Sequence, residues 1–167
     1  HSGMVRHAAF SPDGAHVVTV ADDRSARIWS ARGGPAVRVL RGHEGSVYHA
    51  AFSPDGARLV TASWDRTARV WSVDGNAPAV VLAGHQQAVR SAEFSPDGAR
   101  VVTGSDDGTA RIWRSDGNGD VVTLHGHEGK VLHAAFSPDD RRVVTASSDR
   151  RHPPRPRGQG PARRLQP

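Results

Sequence analysis

The sequence predicts an all-β fold built from antiparallel, four-stranded units. The first observation is a 42-residue repeat that runs through most of the chain. The second is a succession of short apolar or β-branched segments, separated by turn signals every ~8–12 residues. No segment has the apolar periodicity of a helix, so the strands alone must build the domain.

The repeat is carried by residues that occupy one place in every copy. A repeat of this length that starts with Gly-His and has a tryptophan near its third quarter is typical of propeller blades with four strands. Three residue types keep the 42-residue spacing: Phe10, Phe52, Phe94 and Phe136; His1, His43, His85 and His127; and Trp29, Trp71 and Trp113. Because one position keeps the same aromatic residue in every copy, the four phenylalanines are predicted to be buried between blades.

One copy, from Gly42 to Ala83, shows how each unit is organised. Its four predicted strands are VYHAAF (47–52), ARLVTAS (57–63), TARVW (67–71) and AVVLA (79–83). The turn sequence Ser-Pro-Asp-Gly recurs at 53–56 and 95–98, where proline presets one φ angle and glycine accepts a positive one. The fourth copy has Asp140 in place of the glycine, which predicts modest strain in that turn.

These features resemble the WD-repeat family over residues 1–150, although the Trp-Asp pair of that family is Trp-Ser or Trp-Arg here. The resemblance implies an incomplete β-propeller, an open arc of about three and a half four-stranded antiparallel blades. It is closest to bacterial arrays of nearly identical repeats, which often accompany signalling modules such as kinases or NTPase switches.

The same resemblance implies a hydrogen-bonded tetrad of His, Ser or Thr, Asp and Trp in each blade. Buried Trp and His side chains need such partners for their N–H groups. Because Ala21 takes the serine position in the first blade, we expect the link from His1 through Asp23 to Trp29 to be broken there. The other implied tetrad residues are His43, Ser63, Asp65 and Trp71; His85, Ser105, Asp107 and Trp113; and His127, Ser147 and Asp149.

Catalytic and metal-binding interpretations of these residues are disfavoured. A catalytic triad is one nucleophile in one pocket, whereas this set recurs in every blade and ends on a tryptophan. Equivalent blade positions point to separate places around a ring, so the histidines of the tetrads do not converge on a metal ion. His7, His49 and His133 are interpreted as packed or rim residues, and we expect no cofactor.

Composition excludes several classes of protein. With no cysteine among the 167 residues, the chain has no disulfide or thiolate site, which fits a cytoplasmic location. No apolar run is long enough to span a membrane. The net charge of +5 arises in residues 150–167, which hold six arginines and no acid; residues 1–149 hold 16 basic against 17 acidic side chains. A nearly neutral body disfavours nucleic acid as a partner.

The repeat breaks after Arg150. Residues 151–167 contain five of the eleven prolines, so the third and fourth strands of the last blade are predicted to be missing and the segment to be a disordered tail. Two other hypotheses remain for this segment: a shifted reading frame, with which His152, Pro154 and Arg155 agree but Pro153 and Pro156 do not, and a proline-rich ligand for an SH3-like partner.

An open arc would expose strand edges and apolar blade faces at both ends. Since a closed ring needs ~4–8 blades, the favoured interpretation is that the chain is a fragment of a longer propeller, and the alternative is self-association through these edges.

The leading hypothesis for function is a non-catalytic scaffold that binds a protein or peptide. The alternatives are an enzyme with an axial active site and a non-functional truncated remnant. An axial site would need His, Lys or acidic side chains on several first strands, where the sequence is interpreted as Ala or other small residues.

Family resemblance also implies a binding face, with three positions in each blade. In this chain these positions differ between copies while their flanks repeat, so packing does not constrain them. Trp64 and its predicted neighbour Tyr48 are the favoured contacts. The candidate face comprises Met4, Arg6, Asp22, Ser46, Tyr48, Trp64, Ala88, Arg90, Asp106, Lys130, Leu132 and Ser148.

Overall fold

The computed structural model describes residues 1–149, and the predicted tail at 151–167 lies outside them. The described residues form four antiparallel sheets, each made of strands that follow one another in sequence. The first sheet contains β1 (Val5–Phe10), β2 (His16–Ala21), β3 (Ser25–Ser30) and β4 (Ala36–Arg41). The second contains β5 (Val47–Phe52), β6 (Arg58–Ser63), β7 (Thr67–Ser72) and β8 (Val80–Ala83).

The third sheet repeats this arrangement, and the fourth has two strands within the described residues. The third contains β9 (Val89–Phe94), β10 (Arg100–Ser105), β11 (Ala110–Arg114) and β12 (Val122–Leu124), and the fourth contains β13 (Val131–Phe136) and β14 (Val143–Ser147). The first strands β1, β5, β9 and β13 pack side by side. The architecture is therefore an open, partial β-propeller, as the sequence predicts.

Apolar cores fill the spaces between neighbouring sheets. Val18, Ile28 and Leu40 of the first sheet pack with Val47 and Leu59 of the second. Equivalent cores join the second sheet to the third and the third to the fourth. Each blade is thus stabilised by burying its face on its neighbour, which is how repeat arrays compensate for the small core of a single unit.

The prediction that all four phenylalanines are buried between blades is wrong for Phe10. Phe94 is 9% exposed in the core between the second and third sheets, and Phe52 and Phe136 are half-buried in the equivalent cores. Each of these rings packs with residues of the preceding sheet. Phe10 lies on the first sheet, and no earlier sheet among residues 1–149 covers its ring, which is 69% exposed.

The turn in the fourth copy has the backbone geometry that its neighbours adopt with glycine. Asp140 has a φ of 61°, close to the 71° of Gly56 and the 70° of Gly98. A side chain in this left-handed region costs about 1 kcal/mol. The carboxylate of Asp140 also forms an ion pair with Arg100 at 2.7 Å, which offsets part of that cost.

Candidate functional site

A hydrogen-bonded chain joins a histidine to a tryptophan in each of the first three sheets. In the second sheet, His43 Nδ1 lies 2.7 Å from Asp65 Oδ2, and His43 Nε2 lies 2.7 Å from Thr61 Oγ1. The indole N–H of Trp71 donates to the same hydroxyl at 2.8 Å. The third sheet repeats these contacts with His85, Asp107, Thr103 and Trp113.

The predicted serine member of the tetrad is wrong, because a threonine two residues earlier takes that role. Ser63 instead donates to the Ser46 carbonyl at 3.0 Å and accepts the Asp65 N–H at 3.2 Å. Ser105 and Ser147 likewise accept the N–H groups of Asp107 and Asp149. These serines therefore hold the hairpin turn and do not contact the tryptophan. The signal was present in the sequence as a threonine that recurs every 42 residues: Thr19, Thr61, Thr103 and Thr145.

The predicted break in the first sheet is wrong for the same reason. His1 contacts Asp23 at 2.9 Å and Thr19 at 2.7 Å, and the Trp29 indole donates to Thr19 at 2.8 Å. Ala21 replaces a serine that is not part of the chain of hydrogen bonds, so nothing is interrupted. In the fourth sheet, His127 keeps its contacts to Asp149 and Thr145, both at 2.8 Å.

The electrostatics of these hydrogen-bonded side chains favour a structural role for them. Burial opposes ionisation of Asp65, but hydrogen bonds from His43, Thr67 and the Glu44 N–H outweigh it and hold its pKa far below the usual range. Burial lowers the pKa of His85, against the opposing effect of its bond to Asp107. Thr61 and Thr103 are fully buried, so their hydroxyls have no access to a substrate.

The candidate binding face is assembled by backbone hydrogen bonds at one end of every blade. The N–H of Trp64 donates to the carbonyl of Ser46 at 2.9 Å, which brings together residues from two segments of the blade. The other three blades have the same bond, from Asp22 to Met4, from Asp106 to Ala88, and from Ser148 to Lys130. The first and third face positions of each blade are thus adjacent in space.

The second face position of each blade lies in a β-bulge, which the sequence did not indicate. Val47 pairs with Ser63 and His49 pairs with Ala62, so Tyr48 is an extra residue without a partner in the ladder. Arg6, Arg90 and Leu132 occupy the equivalent places. A bulge redirects a side chain away from the regular sheet surface. It therefore frees these positions from the packing that keeps their neighbours constant.

Tyr48 and Trp64 form an aromatic pair at the centre of the face. Their ring centroids are 6.4 Å apart and nearly perpendicular, at 76°. The Arg90 guanidinium lies 4.5 Å from the Tyr48 ring centroid and forms a two-pronged pair with Asp106 at 2.7 and 2.8 Å. Lys130 contacts the same Asp106 carboxylate at 3.3 Å, so one acidic group orients two cations.

The remaining face positions differ in their exposure. Met4 and Leu132 are exposed, and Arg6 pairs with Asp22 at 2.7 Å. Ala88 is 6% exposed, so the expectation that its side chain is available for contact with a partner is wrong. This alanine forms part of the wall of a cleft of about 280 Å³ between Trp64 and the next blade, which Arg66, Gln86, Gln87 and Asp106 also line.

Polar side chains also meet along the inner edge of the arc, where the sequence was interpreted as offering small residues. The imidazole rings of His7 and His49 are 4.2 Å apart between centroids, and those of His49 and His133 are 6.1 Å apart. Glu93 contacts His133 at 3.1 Å. The interpretation that only small residues line this edge is therefore wrong. These side chains meet because the first strands pack side by side, so that equivalent positions of separate blades converge.

Comparisons with known proteins agree with this geometry. A family model described as "WD domain, G-beta repeat" matches residues 1–30, 34–72, 76–114 and 119–151. The matched ranges contain the His–Asp pair of every sheet. The Notchless protein homolog of Arabidopsis thaliana is 42% identical over 43 residues, which are 26% of this chain and 9% of that protein. The chain therefore spans a small part of the length of this relative.

Proposed function

Because the chain belongs to the WD-repeat family, we propose that it is a non-catalytic scaffold that binds a protein or peptide on the bulge-lined face. The observation that carries this proposal is the exposure of Trp64. Its side chain is 57% exposed, whereas Trp71 of the same blade, held in the hydrogen-bonded chain, is 8% exposed. Exposed tryptophan side chains are among those that contribute most to binding free energy when a partner covers them.

The surroundings of Trp64 indicate the chemistry of the partner. Arg6 and Arg90 are already paired with Asp22 and Asp106 of their own blades, and Lys130 shares the Asp106 carboxylate, so every cation of the face has an acidic partner. Charge attraction is therefore a weaker contributor than apolar contact. The cleft beside Trp64 has polar walls at Gln86 and Gln87, whose amide groups can donate to or accept from a peptide backbone. We expect a partner that inserts an apolar side chain beside Trp64.

We further propose that the scaffold acts within a signalling assembly. This role is supported by the likeness of the nearly identical repeats to arrays found in signalling proteins. Among residues 1–149 there is also no helix long and apolar enough to cross a membrane.

The two end faces support contact between copies as a second mode of binding. Val47, Val89 and Val131 are fully buried between blades, yet the equivalent Val5 of the first sheet is 50% exposed. On the fourth sheet Val144 is 66% exposed. Val5 and Val144 occupy positions that are buried at the internal junctions, so the exposed face of the first sheet in one copy suits the exposed face of the fourth sheet in another.

Selection from a random peptide library on the immobilised protein tests the main proposal. Selected peptides should lose affinity when Trp64 and Tyr48 are both replaced by alanine, and retain it when Val81, an exposed residue on the outer strand β8, is replaced. Equal affinity for both variants would place the binding elsewhere.

A further inference from the structure

We propose that His49, Glu93 and His133 form a binding site for one divalent transition-metal ion of the Zn²⁺ type. The ligand atoms of these three side chains all lie within 4.8 Å of one another. Metal–ligand bonds in zinc sites are ~2.0–2.2 Å long, so small side-chain rotations bring the three atoms onto one ion. This site is separate from the residues assigned to the binding face and does not depend on them.

The three ligands come from three different sheets. His49 lies on β5, Glu93 on β9 and His133 on β13, and these strands pack side by side. An ion held between them would cross-link three consecutive blades at their inner edge. Such a link stabilises the folded arc, because the unfolded chain does not hold the ligands together.

His49 is already oriented as a ligand. Its Nδ1 atom lies 3.2 Å from the carbonyl of Ala92, to which it donates. The other ring nitrogen, Nε2, then carries the free lone pair that a metal ion needs. A backbone carbonyl that fixes the ring in this way is the usual outer partner of a metal-binding histidine.

Glu93 and His133 are held together before any ion arrives. Their contact at 3.1 Å places an imidazole and a carboxylate side by side, as ligands of one ion must be. Ion binding would replace this contact with one coordination bond from each side chain, the imidazole binding in its neutral form. The half-exposed ring of His133 gives solvent, and so an ion, a path to the site.

The repeat itself changes where the proposed ligands occur. The equivalent positions read His7, His49, Ser91 and His133, and two residues later they read Ala9, Ala51, Glu93 and Ala135. The third copy thus replaces a histidine by serine and an alanine by the single acid of this series. A position that served packing alone would keep its alanine. Here the acid faces histidines of the neighbouring blades.

A further polar atom beside the cluster remains unsatisfied. His7 stacks on His49, and its Nδ1 atom is buried without a hydrogen-bond partner in the described part of the chain. An ion on His49 would add charge next to this lone nitrogen. Two imidazoles and one carboxylate favour zinc, cobalt, nickel or copper over magnesium and calcium, which prefer all-oxygen sites.

Isothermal titration with Zn²⁺ tests the site on the full chain, purified without a histidine tag. We expect one ion per chain, at least tenfold weaker binding after Glu93→Gln or His133→Gln, and unchanged binding after His125→Gln, which alters an exposed histidine outside the cluster. Zn²⁺ should raise the Tm of the unmodified protein and of His125→Gln, but not that of the other two variants. Mg²⁺ should raise none.

Two results would overturn the proposal. The first is no saturable Zn²⁺ binding by a protein that unfolds cooperatively. The second is equal binding by Glu93→Gln, His133→Gln and the unmodified chain, which would assign the ion to other histidines. Co²⁺ provides an independent readout, since its visible absorption reports a low-coordinate nitrogen and oxygen site and should disappear in the same two variants.

Discussion

The hydroxyl of Thr61 lies 2.8 Å from the indole nitrogen of Trp71. The same oxygen lies 2.7 Å from Nε2 of His43, so one side chain satisfies two buried ring nitrogens. Unpaired polar atoms are costly in a buried site, and Thr61 is fully buried. The threonine therefore connects the start of the blade to its third strand, and its loss should affect the stability of the whole unit.

We expect Thr61→Val to lower the free energy of unfolding by ~1–3 kcal/mol, because the isosteric side chain leaves the Trp71 N–H without an acceptor. Urea unfolding monitored by tryptophan fluorescence measures the change. Thr145→Val is the matched control, since the described contact of that hydroxyl is to His127 alone. A loss at Thr145 as large as the loss at Thr61 would contradict the importance of the indole bond.

The carboxylates of the first and second blades should contribute similarly to stability. Asp23 and Asp65 each contact a histidine and a neighbouring hydroxyl. We expect Asp23→Ala and Asp65→Ala each to cost ~1–3 kcal/mol in unfolding free energy, and Arg66→Ala, at an exposed turn position, to cost little. A much smaller loss at Asp23 would show that the first blade is not closed by its hydrogen bonds.

The architecture could be predicted from sequence because it depends on local and repeated signals. The turn residues, the strand lengths and the 42-residue spacing each specify the same unit, and the nearly identical copies repeat this evidence. Partner choice within the hydrogen-bonded chain was not predictable in this way. Ser63 and Thr61 are both small hydroxyl residues on β6, and whether a side chain meets the indole depends on strand register.

The inner-edge cluster and the bulges escaped prediction for a different reason. The contact between His49 and His133 joins blades that are not consecutive, and its distance depends on how the sheets are arranged around the arc. The bulge at Tyr48 has no turn residue or glycine to mark it. By contrast, the exposure of Phe10 follows from its place on the first described sheet, since the equivalent rings are covered by residues of the sheet before them.

Stability should fall as the solution is acidified, beginning below about pH 6.5. Burial lowers the pKa of His85, so between its folded-state pKa and ~6.5 the unfolded chain binds more protons, and acidification favours unfolding. Asp107 contributes at lower pH, because its pKa is also lowered in the folded protein. Its contribution to stability is fully present above pH ~3.9 and is lost as the pH falls through its folded-state pKa. Urea unfolding from pH 8 to pH 5 should show the first loss.

His85→Asn isolates the contribution of His85 in that pH series from those of His7 and His49, whose pKa values burial also lowers. Asparagine can still donate to Asp107 but does not titrate, so the variant should be less stable at pH 8 and lose less on acidification. A slope equal to that of the unmodified protein would show that other groups cause the effect.

The exposed face of the first blade that carries Val5 and Phe10 should promote association between copies. Covering a fully exposed Val or Phe side chain is worth ~1.5–3 kcal/mol, and Val5 at 50% exposure and Phe10 at 69% exposure each offer part of that gain. Light scattering after size exclusion should show concentration-dependent oligomers that Val5→Thr with Phe10→Ser reduces. Val37→Thr, on the outer strand β4 and equally exposed, should leave them unchanged. A chain that stays monomeric at every concentration would contradict this prediction.

The binding face provides the sharpest test of function, because its central residues make little contribution to the fold. Trp64 lies outside the hydrogen-bonded chains, and Tyr48 lies in a bulge that leaves the ladder intact on both sides. We therefore expect Tyr48→Ala with Trp64→Ala to change Tm by no more than a surface substitution does and to weaken selected peptides at least tenfold. Trp71→Phe is the contrasting variant: it removes a buried N–H donor, so it should lower Tm and leave peptide affinity intact in the folded protein.

Fluorescence supplies a direct readout of binding at this face. Peptide binding should shift the emission of exposed Trp64, and the double variant should show no shift. If the double variant unfolds like Trp71→Phe, or binds peptides as the unmodified chain does, the assignment of the face is wrong.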